Sequence, residues 1–182
     1  MEIIRKQTIE SKELLSGEEM PFEVGDQIYC GFGLATCQKV SEEGALFFTD
    51  DYDNETRKRT GLLKYLNSED GLAGFTEEVF DRLVPFGKLS GVGDMLVRLP
   101  FAGEMFPKDE IDFLEEDDCE QLPLMKERRN RIAFCQDDWE WGWLMNRSKR
   151  YAPTFGLVSN YGHVNSGSAS YASGVRRAFL IK

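Results

Sequence analysis

The fold is decided by three stretches near the end of the chain, which read Trp139-Glu140-Trp141-Gly142-Trp143-Leu144, Leu157-Val158-Ser159-Asn160-Tyr161-Gly162-His163-Val164 and Val175-Arg176-Arg177-Ala178-Phe179-Leu180-Ile181. Their aromatic and β-branched residues are typical of strands. We interpret the second and third stretches as two strands joined by a polar loop. The three tryptophans alternate along the first stretch, which predicts that they point to one side of a strand, as a core wall or as a ligand-stacking platform.

The earlier part of the chain shows both strand and helix patterns. Segments 27–30, 35–40 and 45–48 are separated by glycine-containing turns, which predicts a meander. Helices are predicted at 62–66, from a cap at Thr76 to Val84, and at 101–106, with a strand at 94–99. Because the chain has 182 residues, 41% apolar content and no long linker, we expect a single domain, 1–182, with an N-terminal extension at 1–21 and the body at 22–182.

The charge of the chain is divided along its length. Residues 1–140 hold all 32 Asp and Glu, whereas residues 141–182 hold no acid and six of the 22 Lys and Arg. Solubility alone does not require such a division, which points to a charged partner. The acids are densest in twelve residues that contain eight carboxylates and no base: Asp109, Glu110, Asp112, Glu115, Glu116, Asp117, Asp118 and Glu120.

Mutual repulsion predicts that this acidic segment, residues 109–120, is a solvated loop or an exposed helical face. It either keeps the protein in solution or forms a surface that attracts a basic nucleic-acid-handling protein, in the manner of the phosphate row of DNA. We do not expect it to bind nucleic acid directly. The bases Arg147, Lys149 and Arg150 lie beside aromatic residues, a mixture found in single-strand binders, and the alternative is that they pack beside the acidic segment.

The sequence argues against an enzyme. Nucleotide-binding, serine-hydrolase and zinc-protease signatures do not occur, and His163 is the only histidine. We therefore predict no catalytic residue, cofactor or metal. The spacing of Cys30, Cys37, Cys119 and Cys135 favours buried free thiols. Since the sequence has no long apolar stretch and no leader-like segment, we expect a cytoplasmic protein that does not enter a membrane.

The order of elements and the ending of the chain together resemble a widespread bacterial and phage domain of unknown function. The ending of that domain looks like Trp-Trp-Leu-Arg-Ser-Pro, an apolar pair, a glycine turn and Val-Arg-Pro-Ala. The matching residues are Trp143-Leu144, Arg147-Ser148, Leu157-Val158, Gly162-His163-Val164 and Val175-Arg176-Arg177-Ala178. The chain departs from this pattern by inserting Met145-Asn146 and by having Lys149 and Arg177 in place of prolines. The resemblance covers residues 22–182.

The resemblance implies an α+β fold similar to C-type lectin domains, with small twisted antiparallel sheets, two or three helices and long loops. We expect structural roles for Trp143, Gly162 and Arg176, the last by donation to backbone carbonyls or a carboxylate. The calcium-binding triplets of sugar-binding lectins are missing. The polar, tyrosine-rich stretch 151–173 resembles an antibody paratope, which predicts a secondary binding loop of Tyr151, Asn160, Tyr161, His163, Asn165 and Tyr171.

Two functions follow as hypotheses. In size and charge the chain resembles some anti-CRISPR proteins, which block the RNA-guided type II effector nuclease. That nuclease reads its recognition motif with arginines and holds nucleic acid in a positive channel. We therefore expect a non-enzymatic acidic inhibitor that blocks DNA binding or cleavage. The alternative is a lectin-like module that binds a receptor or a glycan.

Overall fold

The structure, a computed structural model, describes residues 8–9 and 22–182. These residues group into two compact units. Unit 1 contains the described residues up to Asp50 together with Leu63–Arg98 and Ala178–Lys182, and unit 2 contains Asp51–Leu62 and Leu99–Arg177. The single domain expected over 1–182 stays a prediction. Its N-terminal extension, 1–21, lies outside the described residues apart from Thr8–Ile9.

Short strands and short helices alternate through the described residues, so the fold is α+β. The strands are Thr8–Ile9 (β1), Gln27–Tyr29 (β2), Leu34–Ser41 (β3), Gly44–Thr49 (β4), Arg57–Lys58 (β5), Leu83–Val84 (β6), Lys88–Leu89 (β7), Gly93–Asp94 (β8), Val97–Arg98 (β9), Phe134–Cys135 (β10), Asp138–Trp139 (β11), Gly142–Arg147 (β12), Thr154–Val158 (β13), Val164–Ser168 (β14), Ala172–Ser173 (β15) and Ala178–Ile181 (β16). The α-helices are Leu62–Leu66 (α1), Glu69–Leu72 (α2), Glu77–Phe80 (α3), Ala102–Met105 (α4) and Arg128–Arg131 (α5), and Lys108–Glu110 and Pro123–Lys126 form 3-10 turns.

The described part therefore holds five α-helices, whereas the sequence predicted two or three. The additional helices α2 and α5 read Glu-Asp-Gly-Leu and Arg-Arg-Asn-Arg, so they lack the apolar stripe by which a helix is recognised in a sequence. None of the described helices is long and apolar enough to span a bilayer.

Unit 1 is built on a sheet with the strand order β1-β2-β3-β4-β16-β6. The predicted meander is confirmed as β2, β3 and β4, and β4 pairs antiparallel with β16. The other side of β16 is shared by two short strands, β9 beside Ala178 and Phe179, and β6 beside Leu180 and Ile181. Phe179 of β16 stacks on Phe47 of β4 with ring centroids 5.9 Å apart. The last strand is thus central to both the sheet and the core of unit 1.

The predicted helix that ends at Val84 is shorter than expected. Thr76 caps α3 as predicted, because its Oγ1 accepts a hydrogen bond from the Val79 N–H at 3.4 Å. The helix ends at Phe80, however, and Leu83 and Val84 form β6 against β16. A β-branched residue directly before Pro85 favours extended backbone, so Leu83 and Val84 pair with β16 as a strand.

Unit 2 contains the antiparallel sheet β12-β13-β14, the hairpin β10-β11 and the pair β15-β5. The stretch 157–164, predicted as one strand, instead contains the end of β13 at Leu157 and Val158, the hairpin turn, and the start of β14 at Val164. The chain reverses at Asn160-Tyr161-Gly162, and Gly162 has a φ of 78°, a conformation that glycine adopts without strain.

The three tryptophans do not share a strand, so the predicted tryptophan face is wrong. Trp139 lies in β11, is 56% exposed and packs on Phe134 at 4.7 Å between ring centroids. Trp143 lies in β12, is 1% exposed and donates from Nε1 to the Arg57 carbonyl at 2.7 Å. The tryptophans do not lie on one strand because β11 pairs with β10 as a hairpin, and no strand covers Glu140-Trp141 between β11 and β12.

Two consecutive arginines are buried in unit 2. The Arg177 guanidinium donates from Nε and Nη2 to the two oxygens of Asp53, at 2.9 Å each. The Arg176 guanidinium donates from Nη1 to the carbonyls of Asn130 at 3.1 Å and Arg131 at 3.4 Å, which are contacts of the kind that the sequence predicted for it. Asp53 therefore neutralises Arg177, whereas Arg176 donates to backbone carbonyls inside the unit.

Candidate functional site

The acidic segment begins in the 3-10 turn Lys108–Glu110 and continues as a loop in unit 2 that is held by apolar and backbone contacts. Ile111 and Leu114 are buried, and Leu114 forms a backbone bridge with Ser148. The Glu115 N–H donates to the Arg147 carbonyl at 2.7 Å, and the Lys149 N–H donates to the Phe113 carbonyl at 2.9 Å. The acidic segment thus runs beside the basic stretch 147–149, which is the internal packing that the sequence left open as an alternative.

Asp117 differs from the other acids because its carboxylate is used inside the protein. It accepts hydrogen bonds from the N–H of Gly103 and the N–H of Cys119, both at 3.0 Å, and from Nδ2 of Asn146 at 2.7 Å. Asn146 is buried, and its Oδ1 accepts from the Ala102 N–H at 2.7 Å while Nδ2 also donates to the Glu115 carbonyl at 2.8 Å. Asp117 and Asn146 therefore fasten the acidic segment to α4 and β12.

The remaining seven acids of the segment are exposed: Asp109, Glu110, Asp112, Glu115, Glu116, Asp118 and Glu120. Glu116 pairs with Lys149 at 3.3 Å, and Glu110 lies 4.0 Å from Arg131. Burial lowers the pKa of the Arg131 guanidinium, and the Glu110 carboxylate opposes that shift. No described base forms an ion pair with the other five carboxylates, so they give the loop a strongly negative surface.

The residues of the predicted secondary binding loop are divided between the two ends of the β13-β14 hairpin. Asn160, Tyr161 and His163 lie at its turn, whereas Tyr151 and Tyr171 flank its open end, where Thr154 pairs with Ser168. Tyr151, Tyr161 and Tyr171 are 70%, 71% and 69% exposed, and Asn165 is exposed on β14. Strands of five residues separate the two ends by about 15 Å, so these side chains do not form one surface.

The turn of the hairpin forms one wall of a groove with a volume of about 600 Å³ in unit 2. We call it the hairpin groove, and it is lined by Glu127, Arg128, Arg129, Ile132, Trp139, Asn160 and Tyr161. Asn160 and Tyr161 belong to the predicted loop, and Trp139 was considered only as part of the tryptophan face, as a core wall or a ligand-stacking platform. The sequence analysis missed Glu127, Arg128, Arg129 and Ile132. The composition of α5, with three arginines in four residues, was the one available sign.

Gly162 allows the hairpin turn to approach α5 and so shapes this groove. A Cβ atom at position 162 would lie 2.8 Å from both Cγ and the carbonyl oxygen of Arg128 and 3.2 Å from Cγ1 of Ile132. Beside it, Arg128 Nη1 lies 3.3 Å from Nε2 of His163. The glycine predicted as structural therefore brings Asn160 and Tyr161 against the arginine-rich helix.

Metal-ligating residue types do not gather within the described residues, where no group of three His, Cys, Asp or Glu side chains is placed to hold an ion. The four cysteines are free thiols, with Cys30 and Cys37 buried and Cys119 and Cys135 half-buried. Burial and the nearby carboxylates of Glu140, Asp53 and Asp138 raise the pKa of Cys135.

Comparison of the chain with protein-family models, curated proteins and solved structures finds no match. The side chains of the acidic segment and of the hairpin groove therefore carry the functional proposals.

Proposed function

We propose that this protein is a non-enzymatic acidic inhibitor of the anti-CRISPR type, which binds the RNA-guided type II effector nuclease and blocks DNA binding or cleavage. The observation that carries the proposal is the acidic segment, in which seven exposed carboxylates occupy a loop fastened at Ile111, Leu114 and Asp117. The C-type-lectin-like arrangement and the cytoplasmic location belong to the same proposal. The small antiparallel sheets, short helices and long loops support the former.

Anchoring of the segment favours binding over mere solubilisation. A solubilising loop needs charge but no fixed shape, whereas a binding loop gains affinity when its conformation is set before the partner arrives. Asn146, one of the two residues inserted relative to the resembling domain, supplies three of the hydrogen bonds that hold this loop. The departure from the family pattern thus falls on the residue that fixes the acidic segment.

The chemistry of the partner follows from the sign and density of the charge. The nuclease reads its recognition motif with arginines and holds nucleic acid in a positive channel, and a rigid row of carboxylates can compete for either surface. Attraction between oppositely charged surfaces speeds association of the inhibitor with the nuclease. This attraction weakens as added salt shortens the Debye length from about 10 Å at 0.1 M. Inhibition is therefore expected to fall as ionic strength rises.

The test is cleavage of target DNA by several type II nucleases, measured with wild type and with a variant that carries Asp109→Asn, Asp112→Asn, Glu115→Gln, Asp118→Asn and Glu120→Gln. Asp117 and Glu116 are left intact because they contact the protein itself. Five rim charges at about 0.2–1 kcal/mol each sum to at least about 1 kcal/mol, which predicts a rise of about fivefold or more in the half-inhibitory concentration.

The matched control removes five exposed acids elsewhere, by Glu42→Gln, Glu43→Gln, Asp51→Asn, Asp70→Asn and Asp81→Asn. Both variants change the net charge equally, so only a local role of the acidic segment separates them. Equal inhibition by the two variants assigns any effect to total charge and removes the segment from the mechanism. No inhibition by wild type against any of the nucleases overturns the proposal.

The second candidate function is a lectin-like module that binds a receptor or a glycan. The observation that favours it is the exposure of aromatic side chains at both ends of the β13-β14 hairpin, together with the hairpin groove between Trp139 and Tyr161. Exposed aromatics with polar neighbours are typical of adaptable binding surfaces. A glycan array probed in the presence of a calcium chelator tests it, since the described residues gather no calcium ligands.

A further inference from the structure

The hairpin groove combines the size of a small-molecule site with aromatic and cationic walls. Its volume of about 600 Å³ lies within the range of ligand pockets, about 300–1,000 Å³. Trp139 and Tyr161, both exposed, supply ring surface, and Ile132 adds apolar area. The amide of Asn160 can both donate and accept hydrogen bonds. This lining suits a compact ligand with an apolar face and hydroxyl groups.

The charge of the groove selects an anion. Arg128 and Arg129 are exposed, and neither forms an ion pair with an acid of the described residues. Arg128 instead contacts His163 at 3.3 Å, which orients its guanidinium without neutralising it. A guanidinium binds a carboxylate through two parallel hydrogen bonds, so an unneutralised arginine in a groove is fitted to that group.

The acids around the groove limit the charge of that anion. Glu127 is part of the lining, and Asp137 and Asp138 directly precede Trp139 and are exposed. A ligand with several phosphates, or a nucleic-acid strand, meets repulsion at this side of the groove, since such strands are bound by uniformly positive surfaces. A single carboxylate can reach the arginines with less repulsion.

We propose that the hairpin groove binds a sugar that carries one carboxylate, such as a uronic acid or a sialic acid. The pyranose ring packs on Trp139 and Tyr161, its carboxylate pairs with Arg128, and Asn160 contacts its hydroxyl groups. No calcium is required, because the arginine replaces the ion as the anchor of the ligand. This inference deepens the second candidate function and is independent of the acidic segment.

The experiment titrates the full chain with D-glucuronic acid and with N-acetylneuraminic acid and measures binding by calorimetry in the presence of a calcium chelator. D-glucose supplies the ring without the carboxylate, acetate supplies the carboxylate without the ring, and AMP supplies a phosphate anion with a planar aromatic base. The variants are Arg128→Gln and, as a matched control, Arg150→Gln, an exposed arginine that is not part of the groove lining. A thermal melt of each variant verifies folding.

At least one acidic sugar is expected to bind at least tenfold more tightly than glucose and acetate. Arg128→Gln should weaken the binding by about tenfold, the loss of a charge-assisted hydrogen bond, and Arg150→Gln should leave it unchanged. The comparison of ligands on wild type needs no variant, so a folding defect in Arg128→Gln does not remove the test.

Three results overturn the inference: failure of both acidic sugars to bind at millimolar concentration, equal affinity for glucose, or preference for AMP. If the glycan array meanwhile captures neutral glycans, the second candidate function survives and only the acidic-sugar site fails. If the array captures no glycan, both fail together.

Discussion

Asn146→Ala tests how firmly the acidic segment is fastened. The substitution removes three hydrogen bonds, to the Ala102 N–H, the Glu115 carbonyl and the Asp117 carboxylate, at 2.7, 2.8 and 2.7 Å. Each neutral bond contributes about 1 kcal/mol net and a bond to a charged group about 1.5–3 kcal/mol. The three bonds together contribute about 3.5–5 kcal/mol. Asn146 and Ala102 are buried but Asp117 is only half-buried, so water recovers part of this contribution, and we expect a loss of about 3 kcal/mol in the free energy of unfolding.

The assay is urea unfolding, with a thermal melt in which the midpoint should fall by about 6–12 °C for a chain of this size. Asn54→Ala, at an exposed position, is the control and should change stability by less than about 0.5 kcal/mol. A double-mutant cycle with Asp117→Ala should show a coupling of about 0.5–3 kcal/mol. If Asn146→Ala unfolds within about 1 kcal/mol of wild type, the acidic segment is not fastened as the contacts indicate.

Three further predictions concern the interior. Arg176→Ala should lower stability by about 2–4 kcal/mol because the buried Arg131 carbonyl and the partly buried Asn130 carbonyl lose their donor, while Arg150→Ala should leave the urea midpoint unchanged. Gly162→Ala should destabilise more than Gly61→Ala, since both have a positive φ but only the Cβ at 162 meets the backbone at 2.8 Å; equal melting temperatures would refute the close approach. Burial, with Asp26 second, raises the pKa of Cys37 to about 12, so at pH 8 iodoacetamide should label it only as fast as the protein unfolds, and rapid labelling of the native state would contradict this.

Local patterns in the sequence predicted local structure well. The meander β2-β3-β4 is confirmed because its turns contain glycines and β4 contains the continuous apolar run Ala45 to Phe48. The Thr76 cap is confirmed for a similar reason, since a cap depends on residues within one helical turn. By contrast, the pairing of Leu83 and Val84 with β16 joins residues almost 100 positions apart, and no local pattern encodes it.

The candidate sites also depend on contacts between residues distant in sequence, which local patterns do not predict. The acidic segment was visible because its charge is contiguous, but the internal role of Asp117 depends on Asn146 and Gly103, which are distant in sequence. The hairpin groove joins α5, Trp139 and the turn at Tyr161; the turn was predicted as part of a binding loop, Trp139 was considered only as part of a tryptophan face, and α5 was not predicted. Trp139 was not assigned to a groove because the three tryptophans were expected to share one strand.

The central place of β16 has a consequence for synthesis of the chain. β4 is complete about 130 residues before β16 is made, an interval of roughly 7–25 s at translation rates of about 5–20 residues per second. During that time the edge of β4 that later pairs with Ala178–Ile181 has no partner from β16, and Ala45, Leu46, Phe47 and Phe48 lie along it. An open apolar edge is a template for pairing between nascent copies on one messenger, so we expect the yield of folded protein to depend on how quickly β16 leaves the ribosome.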